Sequence, residues 1–127
     1  MIKVWINGAF DLLHSGHIAF LKQAKKQGDY LIVGLNSDSS IKKYKSKDRP
    51  IENQEKRRKK LLDTGIADEV IIFDEPNPIE IIKEIKPDII IRGHDQKIEP
   101  ELSQFKFYKA KQVGDISTTK IIKEKPQ

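Results

Sequence analysis

The chain alternates short apolar segments of strand length with longer helical patterns, and this alternation constrains its fold more than any other feature. Helical patterns at residues 18–27, 53–63 and 78–86 separate segments that are rich in β-branched residues. Those segments predict buried strands at residues 2–6, 30–35, 70–73 and 89–91. The alternation favours parallel β-α-β units with right-handed crossovers. Residues 104–109 predict a fifth strand and residues 118–125 a closing helix. We therefore predict an α/β fold, a Rossmann-like three-layer sandwich with a parallel five-stranded sheet.

Length and composition narrow the classes of protein. The 127 residues fit a single domain, 1–127, and the absence of cysteine excludes disulfides and thiolate metal sites. No apolar stretch reaches the length of a membrane span and no cleavage pattern follows the first residues, so we expect a soluble, cytoplasmic protein. The net charge of +5 is concentrated at residues 42–49 and 56–60. Such runs face a nucleoside triphosphate, a nucleic acid or only water.

The most informative segment is GAFDLLHSGH, residues 8–17, between the first predicted strand and the first predicted helix. Gly8 lets the backbone approach a phosphate closely. His14 and His17 stand three apart at a helix N-terminus, where free N–H groups and the helix dipole favour anions. This pattern predicts a phosphate site with two added donors. Two alternatives stay open: histidines that are only structural, and a metal site completed by His94 with Asp11 or Asp95.

The same segment resembles the G-x-F-D-x-x-H-x-G-H signature of the cytidylyltransferase-like nucleotidyltransferase family. The resemblance continues at NSD (36–38), Lys45, Arg57, RGHD (92–95) and ISTTKI (116–121). Within the family, NG-x-FD and RP-I are similar to the adenylyltransferase domain of bifunctional heptose-phosphate enzymes. DEVI and ISTTKI are similar to glycerol-3-phosphate cytidylyltransferase instead, although KQVGD (111–115) stands where that enzyme has an arginine before ISTT.

The resemblance implies transfer of a nucleoside monophosphate from ATP or CTP to a sugar or polyol phosphate, with release of pyrophosphate. Heptose 1-phosphate adenylyl transfer is the first expectation and glycerol-3-phosphate cytidylyl transfer the alternative. A basic nucleic-acid-binding domain is the alternative of another class. Magnesium is expected as the counterion of the triphosphate, without a dedicated protein ligand. A homodimer is expected, with no nucleic-acid or membrane partner.

The resemblance also assigns site residues. The catalytic residues would be His14, His17, Lys45 and Arg57. The nucleotide would be bound by Gly8, Ala9, Phe10, Asp11, His14, Gly16, His17, Arg92, Gly93, Asp95, Ser117 and Thr118. Ser117 and Thr118 would open the closing helix, where a hydroxyl caps the helix and also holds a phosphate.

Overall fold

The computed structural model describes residues 1–93 and 97–111, and its centre is a parallel sheet. In this part of the chain the sheet has five strands, in the order β3-β2-β1-β4-β5. They are β1 (Lys3–Gly8), β2 (Tyr30–Asn36), β3 (Glu69–Phe73), β4 (Ile89–Arg92) and β5 (Phe107–Lys109). All neighbours pair in parallel, which confirms the predicted α/β architecture. The topology reverses between β1 and β4, so a ligand crevice is expected at the carboxyl ends of these two strands.

Four helices connect the strands in the described part. They are α1 (Ser15–Lys25), α2 (Asp38–Tyr44), α3 (Gln54–Asp63) and α4 (Ile79–Ile85), and a 3₁₀ turn spans Pro100–Leu102. Helix α1 begins before residue 18, the predicted start, because His14 caps it. The short helix α2 was missed; the Ser37 hydroxyl begins it by accepting from the backbone N–H of Ser40 at 3.1 Å. The predicted closing helix lies outside the described residues.

The core forms two apolar layers, one on each face of the sheet. On one face Val4 and Ile6 of β1 pack with Leu21 of α1 and Leu61 of α3. On the other face Trp5 packs with α4 and the 3₁₀ turn. Its ring covers Gly34 of β2, where an added Cβ would lie 2.4 Å from Trp5 Cζ2. The two layers confirm the predicted three-layer sandwich.

Among residues 1–93 and 97–111, no helix is long and apolar enough to cross a membrane.

Candidate active site

The two histidines of the segment 8–17, hereafter the imidazole turn, cap the start of α1 together. His14 Nδ1 accepts from the backbone N–H of Gly16 at 3.0 Å and of His17 at 3.4 Å, and His17 Nδ1 accepts from the backbone N–H of His14 at 3.3 Å. The rings stack with centroids 3.8 Å apart. Because both Nδ1 atoms accept, a neutral ring carries its hydrogen on Nε2. The imidazoles, rather than the capped amides, therefore carry the donors of this helix end.

Both rings are neutral at pH 7. Burial lowers the pKa of His14. Burial also lowers the pKa of His17, to about 4, with a further contribution from the charge of His14 that outweighs the opposing charge of Asp11. Each neutral ring can donate a hydrogen bond through its Nε2–H without a prior change of protonation. Such a pair is suited to stabilise charge that develops on phosphate oxygens.

The backbone of the imidazole turn is held in an unusual conformation. Phe10 and Leu12 both have positive φ, 47° and 55°, which non-glycine residues adopt rarely. The buried Phe10 ring meets the His17 ring edge to face, with centroids 5.3 Å apart. An added Cβ on Gly8 would lie 3.1 Å from the Phe10 ring, so a larger residue there would displace it. Glycine and phenylalanine together thus fix where His17 lies.

Asp11 ties the imidazole turn to the segment before α3. Its buried carboxylate accepts from the backbone N–H of Ile51 at 2.8 Å and of Glu52 at 3.0 Å, and lies 3.4 Å from Arg49 Nη1. Burial alone would raise the pKa of Asp11, but these donors outweigh it and hold the pKa below its ordinary value. The carboxylate therefore anchors the imidazole turn to the backbone at residues 51–52.

The Arg57 side chain is buried and hydrogen-bonded inside the protein. Its fully buried guanidinium donates four hydrogen bonds inside the protein. The acceptors are the carbonyl oxygens of Glu52 at 2.9 Å, Ala9 at 2.8 Å and Asn36 at 2.8 Å, and Asp38 Oδ1 at 2.8 Å. Four of the five N–H groups of the guanidinium are thus engaged inside the protein. Arg57 joins the imidazole turn to β2, α2 and the start of α3, and its direct role at a phosphate stays a prediction.

Lys45 lies at the C-terminal end of α2, where it is the C-cap residue. More than a third of the residue is exposed, and its side chain makes no hydrogen bond or ion pair within the described part of the chain, although its backbone N–H donates to the Ile41 carbonyl at 2.9 Å. Partial burial of its ammonium lowers its pKa, and the charge of Arg57 lowers it further. Lys45 is thus close enough to Arg57 for the two positive charges to repel each other. Lys45 thus remains available to an anion.

Arg92, at the carboxyl end of β4, is also engaged internally. Its buried guanidinium donates to Asn7 Oδ1 at 3.0 Å and to both carboxylate oxygens of Glu99, at 3.2 and 2.8 Å. Gly93 follows directly, and it has no side chain to obstruct close approach. The structure therefore brings Arg92 to the predicted edge of the sheet, with a guanidinium that is already paired.

The remaining predicted residues and the missed ones complete the site. Asp95, Ser117 and Thr118 lie outside the described residues. Within residues 1–93 and 97–111 no cluster of three histidine, aspartate or glutamate side chains could hold a metal ion. Sequence reasoning missed Asn7 and Glu99 as partners of Arg92, and Asp38 as the partner of Arg57. Asn7 is the penultimate residue of β1 and Asp38 begins α2, two residues after β2 ends, and these positions near the carboxyl ends of strands were a usable signal for both.

Comparison with known proteins supports this geometry. The model of the family described as cytidylyltransferase-like matches residues 5–124. The chain belongs to this family. The bifunctional protein HldE of Aliarcobacter butzleri is 44% identical over 128 residues, covering 94% of this chain and 26% of the relative. HldE of Campylobacter concisus is 48% identical over 94 residues, covering 74% and 20%. The chain thus spans only about a quarter or less of these relatives.

Solved structures agree with the fold. The lipopolysaccharide core biosynthesis protein from Thermoplasma volcanium superposes with a TM-score of 0.76 at 32% identity, covering 89% of this chain and 98% of that one. Pantoate-beta-alanine ligase from Francisella tularensis has a TM-score of 0.61 at 15% identity, covering 86% and 58%, and this likeness shows the fold alone.

Proposed function

We propose that the protein transfers an adenylyl group from ATP to D-glycero-β-D-manno-heptose 1-phosphate and releases pyrophosphate. The observation that carries the proposal is the pair of neutral, stacked imidazoles at the start of α1. The similarity to HldE proteins and to a lipopolysaccharide core biosynthesis protein supports a sugar phosphate as the acceptor. The NG-x-FD and RP-I motifs favour the heptose enzyme over glycerol-3-phosphate cytidylyltransferase.

The reaction needs positioning and charge stabilisation more than proton transfer. A phosphate oxygen of the acceptor forms a bond to the α-phosphorus, in line with the bond to the bridging oxygen of pyrophosphate, which breaks. The acceptor phosphate is already ionised near pH 7, so no strong general base is required. The Nε2–H groups of His14 and His17 donate to the oxygens on which charge accumulates.

Other charged groups neutralise the triphosphate or hold the imidazole turn in place. Lys45, exposed at the end of α2, neutralises triphosphate charge directly. Arg57 and Asp11 hold the imidazole turn in place through their hydrogen bonds to Ala9 and to the backbone at residues 51–52. Magnesium would be held by phosphate oxygens and water, and would neutralise triphosphate charge. The cytoplasmic location and the homodimer stay predictions.

Pyrophosphate release by the purified protein tests the proposal. ATP and CTP are each combined with heptose 1-phosphate, glycerol 3-phosphate or no acceptor. We expect release with ATP and heptose 1-phosphate only. Preference for CTP and glycerol 3-phosphate would replace this function with the alternative. A lack of release with every pair, together with salt-dependent binding of a mixed oligonucleotide, would favour the nucleic-acid-binding class.

A further inference from the structure

Asn7, the first residue of the NG-x-FD motif, was assigned no role from sequence, and its side chain has a fixed orientation. Its Oδ1 accepts from Trp5 Nε1 at 3.0 Å and from Arg92 Nη1 at 3.0 Å. Both partners are donors only, so the oxygen of the amide, and not its nitrogen, has to face them. The two N–H groups of Nδ2 therefore lie at the other end of the amide. In the described part of the chain nothing accepts a hydrogen bond from them.

The position of Asn7 places these donors beside the proposed reaction centre. Asn7 is the penultimate residue of β1, the middle strand, at the point where the topology reverses toward β4. It is half-buried, whereas the neighbouring Arg92 is buried. Along β1 it follows Trp5 on the face covered by α4, while Val4 and Ile6 face α1. The imidazole turn and the Asn7 amide thus flank the carboxyl end of β1 from opposite sides of the sheet.

In-line displacement assigns a substrate to each side. If the leaving pyrophosphate lies at the start of α1, the attacking oxygen approaches the α-phosphorus from the opposite direction. That direction leads to the face of Asn7. Two N–H donors held next to a guanidinium are suited to an oxyanion, and the one carboxylate that contacts Arg92 among the described residues, Glu99, is turned to its other nitrogen.

We propose that the Asn7 side-chain amide binds the phosphate of the acceptor and so helps to determine acceptor specificity, an inference that rests on the proposed function. The residue acts by binding: it holds the attacking phosphate in line and takes no proton. Loss of its donors is therefore expected to weaken acceptor binding selectively and to leave nucleotide binding intact.

The substitution Asn7→Asp separates this role from a structural one. A carboxylate keeps oxygens that accept from Trp5 and Arg92, but it removes both N–H donors and places negative charge toward the acceptor phosphate. We expect the KM for the acceptor to rise at least about 30-fold, which corresponds to the loss of one hydrogen bond to a charged group. The KM for ATP should stay within about twofold, and the melting temperature should not fall. Asn77→Asp, which adds the same charge on an exposed loop two strands away, should change neither constant.

Two results would overturn the inference. One is an unchanged acceptor KM in a folded Asn7→Asp variant, and the other is a rise in the KM for ATP in its place. If the variant unfolds, the contact can be tested in the wild-type protein instead. There the side-chain ¹⁵N–H₂ resonances of Asn7 should shift when the acceptor is added without ATP. Unmoved resonances at saturating acceptor would likewise refute the contact. Wild-type protein that releases no pyrophosphate with any acceptor would instead refute the proposed function.

Discussion

The imidazole turn and the basic region from residue 42 to 60 both contribute hydrogen-bond donors or positive charges to the site. They differ in how well the sequence predicts the role of each residue. In the turn, each residue of the motif has its own place: the histidines cap α1, Phe10 packs on His17, and Asp11 anchors the loop. In the basic region many lysines and arginines look equivalent. The structure separates them, because Arg57 is fully buried whereas its neighbour Arg58 is exposed.

The difference teaches that a motif and a charge run carry unequal information. Spacing within the turn determines which groups meet, since its residues are close in sequence. The direction of a side chain on α3 depends on where the helix packs, and that depends on distant residues. Arg57 donates to backbone at residue 9 and residue 36, which no local pattern in α3 reveals.

Arg57→Met tests this separation with the largest expected effect. It leaves three carbonyl oxygens and Asp38 without their donor, so the free energy of unfolding should fall by about 3 kcal/mol or more. Arg58→Met, one position along the same helix, should change it by less than about 0.5 kcal/mol. Urea unfolding of both variants measures the contrast. Equal losses would show that the two arginines are not distinguished by burial.

His14→Ser tests the imidazole turn with the next largest effect. Serine is a good N-cap, so α1 should keep its start and the protein its stability within about 1 kcal/mol. The substitution removes the Nε2–H donor, and kcat for pyrophosphate release should fall about 10²- to 10³-fold. Denaturation and steady-state kinetics are measured on the same preparation. A drop in stability with little change in kcat would assign His14 a capping role only.

Lys45→Ala should have a smaller effect. Removing the Lys45 ammonium should lower kcat/KM for ATP about tenfold, because it takes away a charge-assisted contact with the triphosphate. Lys42→Ala, a matched change on the same short helix, should alter it by less than about twofold. The ratio of the two effects, measured at low salt, sharpens the distinction among the basic residues. Equal effects would make both lysines part of a general positive field.

The last prediction concerns the pH dependence of stability. The folded pKa of His17 is about 4, below the ordinary value of 6.5, so the unfolded chain binds more protons between these values. Stability is therefore complete above about pH 6.5 and decreases as the pH falls toward 4. Urea midpoints at pH 7.5 and 5.0 measure the decrease, which should be smaller in His17→Gln. An identical decrease in that variant would assign it to other groups.

Much of the fold was predictable from the sequence, whereas the connections across the site were not. Period and length predicted the four long strands and the helices α1, α3 and α4, because each has a clear apolar pattern. Helix α2 was missed because Ile41 is the one aliphatic residue among its seven, so the segment carries no helical apolar pattern. The pairing of Asn7 with Arg92 joins residues that are 85 positions apart, and only the alignment of β1 beside β4 brings them together.

The account depends most directly on the two imidazoles acting as donors to the transferred phosphate. Pyrophosphate release by the double variant His14→Ser/His17→Gln tests it, because serine and glutamine both suit their positions in a capping box and should preserve α1. The account predicts a folded protein whose release of pyrophosphate from ATP and acceptor falls to the uncatalysed background. Release within about tenfold of the wild-type rate by that folded variant would contradict it.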